Sequence, residues 1–140
     1  MALIARFLID TSAAARMGAS LVSGRLAPLI TGGVVATCAT LDAEALYCSR
    51  NPAEYEQIRA DRRIAYEYLP TDDEHWQRAF AAQSELAQTG RHRAVGIADL
   101  LTAALAAEHR LTLIHYDADF DIAAGVLTFA HRWVARRGSL

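Results

Sequence analysis

Hydrophobic positions along this chain fall into short apolar runs separated by longer stretches with a helical period. Phe7-Leu8-Ile9 is a run of three that stops at Asp10, the pattern of a short buried strand. Thr11 and Ser12 then offer N-cap hydroxyls to a helix through about Met17. After Gly18, Leu21, Val22, Leu26, Leu29 and Ile30 recur at helical spacing until Gly32-Gly33 breaks the pattern, and Val34-Val35-Ala36 reads as a second strand. From about Ala39 to Cys48 a helix is expected that is apolar around most of its circumference. Asn51-Pro52-Ala53-Glu54 is a helix start, with Asn as cap and Pro at the first position, opening a helix to about Ile64. Tyr66 to Leu69 is a third strand.

Thr71-Asp72-Asp73-Glu74 reads as a capping box for a long helix to about Thr89, closed by Gly90. Arg91 to Val95 is a basic loop. Asp99 to His109 is almost wholly apolar, which predicts a central helix covered on all sides. Leu111 to Tyr116 is a fourth strand with Asp117 directly after it. A helix over about Ala118 to Val126, a fifth strand over His131 to Val134 and a frayed tail over about 135–140 complete the pattern. Strands alternating with helices through short links predict an α/β domain: a doubly wound, mostly parallel sheet of four or five strands, with helices on both faces.

Composition changes this picture little. The 140 residues suffice for one compact domain over 1–140, and no stretch approaches membrane-spanning length, so a cytoplasmic location is expected. Cys38 and Cys48 have no metal-like spacing and read as small core residues. All 14 basic residues are arginine and lysine is absent. The net charge of −2 does not suggest a nucleic-acid binder, yet it becomes +2 once four carboxylates are set aside.

Those four are Asp10, Glu44, Asp99 and Asp117. In open parallel sheets, sites lie beyond the carboxyl ends of the strands, where strand order reverses. Asp10 and Asp117 each follow a strand, Asp99 opens the central helix, and Glu44 lies on a helix with little polar surface. Taken singly, Asp10 and Asp99 could cap helices and Asp117 could sit in a turn. Glu44 is harder to dismiss, because no arginine stands within sequence reach to pair with it. Converging carboxylates repel and are costly to bury, so if the four meet, a divalent cation between them is the economical reading. Oxygen-only ligation suits Mg²⁺ or Mn²⁺. Asp119 on the same loop is ambiguous and could assist the site, whereas Asp121, Glu56, Glu67, Glu85 and Glu108 are assigned to solvated faces.

Other chemistries are excluded by what is missing. Without lysine there is no Walker lysine, Schiff base or receiver-domain lysine. Asp10-Thr11-Ser12 lacks the second aspartate of a haloacid-dehalogenase-like phosphatase loop. The run Asp117-Ala118-Asp119-Phe120-Asp121 mimics a calcium loop, but Ile122 and Thr128 stand where an EF-hand needs glycine and glutamate. GxGxxG, GxSxG, HExxH and a Cys/His cluster are absent.

The segments Leu8-Ile9-Asp10-Thr11-Ser12, Leu41-Asp42-Ala43-Glu44-Ala45-Leu46-Tyr47, Ile97-Ala98-Asp99-Leu100-Leu101 and His115-Tyr116-Asp117-Ala118-Asp119-Phe120 resemble PIN-domain proteins in order and separation. At this length the chain is most similar to VapC-type toxins of toxin–antitoxin pairs. The resemblance implies a Mg²⁺- or Mn²⁺-dependent endoribonuclease held inactive by a cognate antitoxin. Its catalytic and metal-binding acids carry over onto Asp10, Glu44, Asp99 and Asp117, with Asp119 as an optional addition and Thr11 or Ser12 in support. Gly125 to His131 departs from the family's usual Thr-Gly turn. RNA phosphates would then need cationic guides, for which Arg91 and Arg93, then Arg50, Arg132 and Arg136, are candidates; a tRNA or rRNA is the expected substrate. Apolar residues on the first two helices and on the helix from Pro52 suggest a homodimer and a groove for the antitoxin. The competing expectation is a non-catalytic regulatory or adaptor module on the same fold.

Overall fold

The computed structural model describes residues 3–140. Five strands form one sheet: β1 (Phe7–Ile9), β2 (Val35–Thr37), β3 (Glu67–Tyr68), β4 (Thr112–His115) and β5 (Ala130–Trp133). Their order is β3-β2-β1-β4-β5, and every pairing is parallel. The helices are α1 (Thr11–Ala14), α2 (Ser20–Thr31), α3 (Ala39–Tyr47), α4 (Pro52–Ala65), α5 (Asp73–Ala87), α6 (Ile97–His109) and α7 (Asp119–Ala123). No helix among the described residues is long and apolar enough to cross a membrane.

Strand alternation splits the core in two. Leu8, Ala36 and Leu113 stand in register across the three central strands and face Leu41, Leu105 and Phe120. Their neighbours Ile9, Val35 and Ile114 face the other way, against Val22 and Leu26 of α2. Helix α6 lies between the sheet and α5, so every residue from Leu100 to Ala106 is buried, as its apolar circumference requires.

Several boundaries differ from expectation for physical reasons. Asp10, not Thr11 or Ser12, caps α1: its backbone is already extended at the end of β1 and its side chain reaches the Ser12 amide. Helix α1 stops after four residues, and α7 is five long. Asp99 is not a cap either; Gly96 is, and Asp99 stands in the first turn of α6. The box that opens α5 joins Asp72 to His75, whose imidazole replaces the expected carboxylate. Helix α3 buries only Leu41 fully and leaves Tyr47 90 % exposed, so it is less covered than its composition suggested. Glu67 is not on a solvated face, since it accepts from the Ile4 and Ala5 amides, whereas Glu108 is exposed as expected and also meets Nε2 of His75. Cys38 is buried, but Cys48 is exposed. The last residues are held by contacts, with Ala135 buried and the Leu140 amide donating to the Tyr116 hydroxyl.

Candidate functional site

The carboxyl ends of β1 and β4 are adjacent, because Ile9 pairs with Ile114. Asp10 extends β1 and donates its amide to the Ile114 carbonyl at 2.8 Å, which carries it toward the loop that bears Asp117. One oxygen of Asp10, Oδ2, accepts from the Ser12 amide (3.0 Å) and from the Ser12 hydroxyl (2.6 Å). Capping occupies that oxygen alone, so Asp10 caps α1 and still presents Oδ1. Ser12 Oγ also accepts from the Tyr116 amide at 2.9 Å, tying the two strand ends together.

Glu44 comes in from α3, where Thr11 Oγ1 donates to its Oε2 at 2.6 Å. Asp42, two residues earlier on α3, faces away and pairs with Arg62 at 2.8 Å. Asp99 projects from the first turn of α6. One turn away from each acid along its helix, Thr40 and Thr102 share a hydrogen bond of 2.8 Å. Thr40 precedes Glu44 by four residues and Thr102 follows Asp99 by three, so this hydroxyl pair fastens α3 to α6 beneath the two carboxylates. Asp117 accepts from the Asp119 amide at 2.9 Å. Oxygens of Asp99, Asp117 and Asp119 lie within 4.8 Å of one another.

The electrostatics bring all five acids together. Asp99 is pushed up from 3.8 to about 7, first by burial and then by Asp10, Glu44, Asp117 and Asp119. Burial, with a smaller push from Asp117, raises Asp10 despite its bonds from Ser12. Asp119 is also raised, by burial and then by Asp117. None of the five forms an ion pair among the described residues. The structure therefore brings the four predicted acids and Asp119 to one place and leaves Asp121 outside, exposed and taking the Trp133 indole N–H at 3.3 Å. An all-oxygen donor set with no internal cation fits a hard divalent ion, and the repulsion on Asp99 is what such an ion would relieve.

Three contributors escaped the sequence reading. Arg16 donates to the Ser12 carbonyl at 2.7 Å and stacks 4.3 Å over the Tyr116 ring, an arginine fixed at the site's margin. The Thr40–Thr102 pair spans 62 residues and leaves no local signal. His115 is buried beneath the loop; burial and the neighbouring His131 hold it down at about 4, so it is neutral near pH 7. The guide arginines Arg91, Arg93, Arg132 and Arg136 are exposed, whereas Arg50 pairs with Glu54.

The family model for the PIN domain matches residues 7–126. Among characterised relatives, Ribonuclease VapC21 of Mycobacterium tuberculosis is 37 % identical over 134 residues, covering 96 % of this chain and 97 % of the relative. Ribonuclease VapC51 of the same organism is 33 % identical over 135 residues, again covering 96 % and 97 %. Among solved structures, VapBC-5 of M. tuberculosis, a member of the VapBC family of toxin–antitoxin systems, has a TM-score of 0.59 at 27 % identity over 92 % of this chain and 97 % of that one. DNA-bound VapBC of Salmonella typhimurium reaches a TM-score of 0.74 over 94 % of this chain and 99 % of that one, at 16 % identity, a likeness of fold alone.

Proposed function

Because the chain belongs to the PIN-domain family, we propose that it is a divalent-metal-dependent endoribonuclease, the toxin of a toxin–antitoxin pair. The observation that carries this reading is the convergence on Asp99, whose carboxyl is raised to about 7 by burial and four other acids. Asp10, Glu44, Asp99 and Asp117 would hold Mg²⁺ or Mn²⁺, with Asp119 completing the ring. When bound, the ion supplies positive charge at a phosphodiester oxygen and acidifies the attacking water.

The chain's own side chains prepare the site. Ser12 fixes Asp10 and the Tyr116 amide, Thr11 orients Glu44, and the Thr40–Thr102 pair sets the spacing of α3 and α6. Arg16 stands ready for a phosphate beside the acids, and Arg91 and Arg93 precede α6 on the approach to Asp99. Single-stranded loops of a structured RNA, a tRNA or rRNA, are the expected target, since A-form helices hide their base edges. A cognate antitoxin is the partner, consistent with relatives and neighbours named for VapC and VapBC. The chain is expected to form a homodimer, and Leu21, Tyr55 and Ile64 on α2 and α4 leave apolar surface for one or other contact. No feature of the site favours a non-catalytic module.

The test compares wild type with Asp99→Asn, purified identically, by mapping the 5′ ends of total RNA. Cleavage should require Mg²⁺ or Mn²⁺, stop with EDTA and fall by at least ~10²-fold in the variant. Equal cutting by both proteins would make the activity a contaminant and overturn the nuclease reading.

A further inference from the structure

Two consecutive amides lead into the loop that carries Asp117. The Tyr116 N–H goes to Ser12 Oγ at 2.9 Å, and the Asp117 N–H goes to Nδ1 of His115 at 3.2 Å. Ser12 belongs to the site through Asp10. His115 has no bond to any of the five carboxylate side chains among the described residues, and the reading above gives it no part.

His115 closes β4 and is 0 % exposed. Its ring is fixed by Phe120, with centroids 4.9 Å apart, and by His131 and Trp133 of β5, each at 5.2 Å. Nδ1 accepts from a backbone amide, so the neutral ring keeps its proton on Nε2 and donates it to His131 Nδ1 at 2.9 Å. Both nitrogens are thus engaged, in one direction only. A phenylalanine would fill the same aromatic pocket but would leave the Asp117 amide without its acceptor.

We propose that His115 is a positioning residue for the metal-binding loop: its Nδ1 holds the Asp117 main chain in place, and His131 locks the ring that does so. From there the Asp117 carboxylate takes the Asp119 amide at 2.9 Å, so one anchored imidazole sets the start of the segment that bears two of the five acids. The inference rests on the reading of those acids as a cation site.

Asparagine and glutamine separate the two ring nitrogens. His115→Asn puts an amide oxygen close to where Nδ1 stands; His115→Gln carries its amide further out, toward the position of Nε2. Mn²⁺ alone is the probe, with free ion counted by electron paramagnetic resonance and folding followed by thermal melts. The Asn variant should bind Mn²⁺ within about twofold of wild type and the Gln variant about 10-fold more weakly, as for loss of an outer partner of a metal ligand. A role confined to packing would move both variants together, so equal affinities overturn the proposal. If either variant is unfolded, His131→Phe keeps the ring stack and removes the acceptor for Nε2–H; it should weaken Mn²⁺ binding, and wild-type affinity there overturns the proposal. A wild type without affinity for Mn²⁺, or an Asp99→Asn variant that binds as tightly, removes the metal reading itself.

Discussion

Replacing Asp99 by asparagine should make the metal-free protein more stable, although it removes a residue on which the proposed activity depends. In the native state this carboxyl is raised from 3.8 to about 7 by burial and by four acidic neighbours. Between those two values the folded chain keeps a proton that the unfolded chain has released, so stability falls as pH rises through the window. At about 1.4 kcal/mol for each tenfold change in acidity, ionising Asp99 at pH 8 costs up to about 4 kcal/mol. Partial solvent access and relaxation of the loop reduce this, and about 2 kcal/mol, or ~6 °C in Tm for a domain of this size, is the expected gain for Asp99→Asn. The assay is thermal and urea unfolding in EDTA at about pH 8 and again at about pH 5. At the lower pH Asp99 is protonated in the fold but still ionised in the unfolded chain, so the advantage of the variant should fall to roughly 40 % of its value at pH 8 and vanish only below about pH 4. Saturating Mn²⁺ should reverse the order at pH 8, because only wild type then gains from binding. A variant that is less stable than wild type at pH 8 in EDTA, or equally favoured at both pH values, would refute the idea that these acids repel one another across a shared space.

Other perturbations test the framework around the site. Thr102→Val removes the bond to Thr40 and the one to the Ala98 carbonyl; urea unfolding should register a loss of about 1–2 kcal/mol, and no loss would mean that the hydroxyl pair does not join α3 to α6. Ile64→Asp changes a side chain that is 87 % exposed, so Tm of the isolated chain should hold while calorimetry shows weaker binding of the cognate antitoxin; unchanged affinity would place that interface elsewhere.

The strands could be read from sequence because each is a short apolar run flanked by helical periods, and a parallel sheet covered on both faces demands that. The positions of Asp10, Glu44, Asp99 and Asp117 at strand ends and helix faces were legible for the same reason. What could not be read was the division of labour within a residue. Asp10 looked like either a cap or a ligand, and its two oxygens allow both. Asp99 has the composition of a cap, yet Gly96 takes that place and Asp99 projects from the first turn. Long-range pairs left no trace either. His115 and His131 meet because β4 and β5 run side by side with His115 opposite Trp133, which puts His131 on the same face two residues back. His75 and Glu108 join α5 to α6 across 33 residues.

The parallel pairing of β1 with β4 has a consequence in time. Asp10 leaves the ribosome well before Asp117, and they come together only when residues 112–114 dock beside residues 7–9. Contacts so distant in sequence form slowly, and none of the local helices can substitute for them. A nascent or prematurely terminated chain lacking β4 therefore has Asp10, Glu44 and Asp99 without the loop that closes their ring. For a protein proposed to injure the cell that makes it, the topology itself postpones the hazard until β4 has been made, leaving an interval in which the antitoxin can already be waiting.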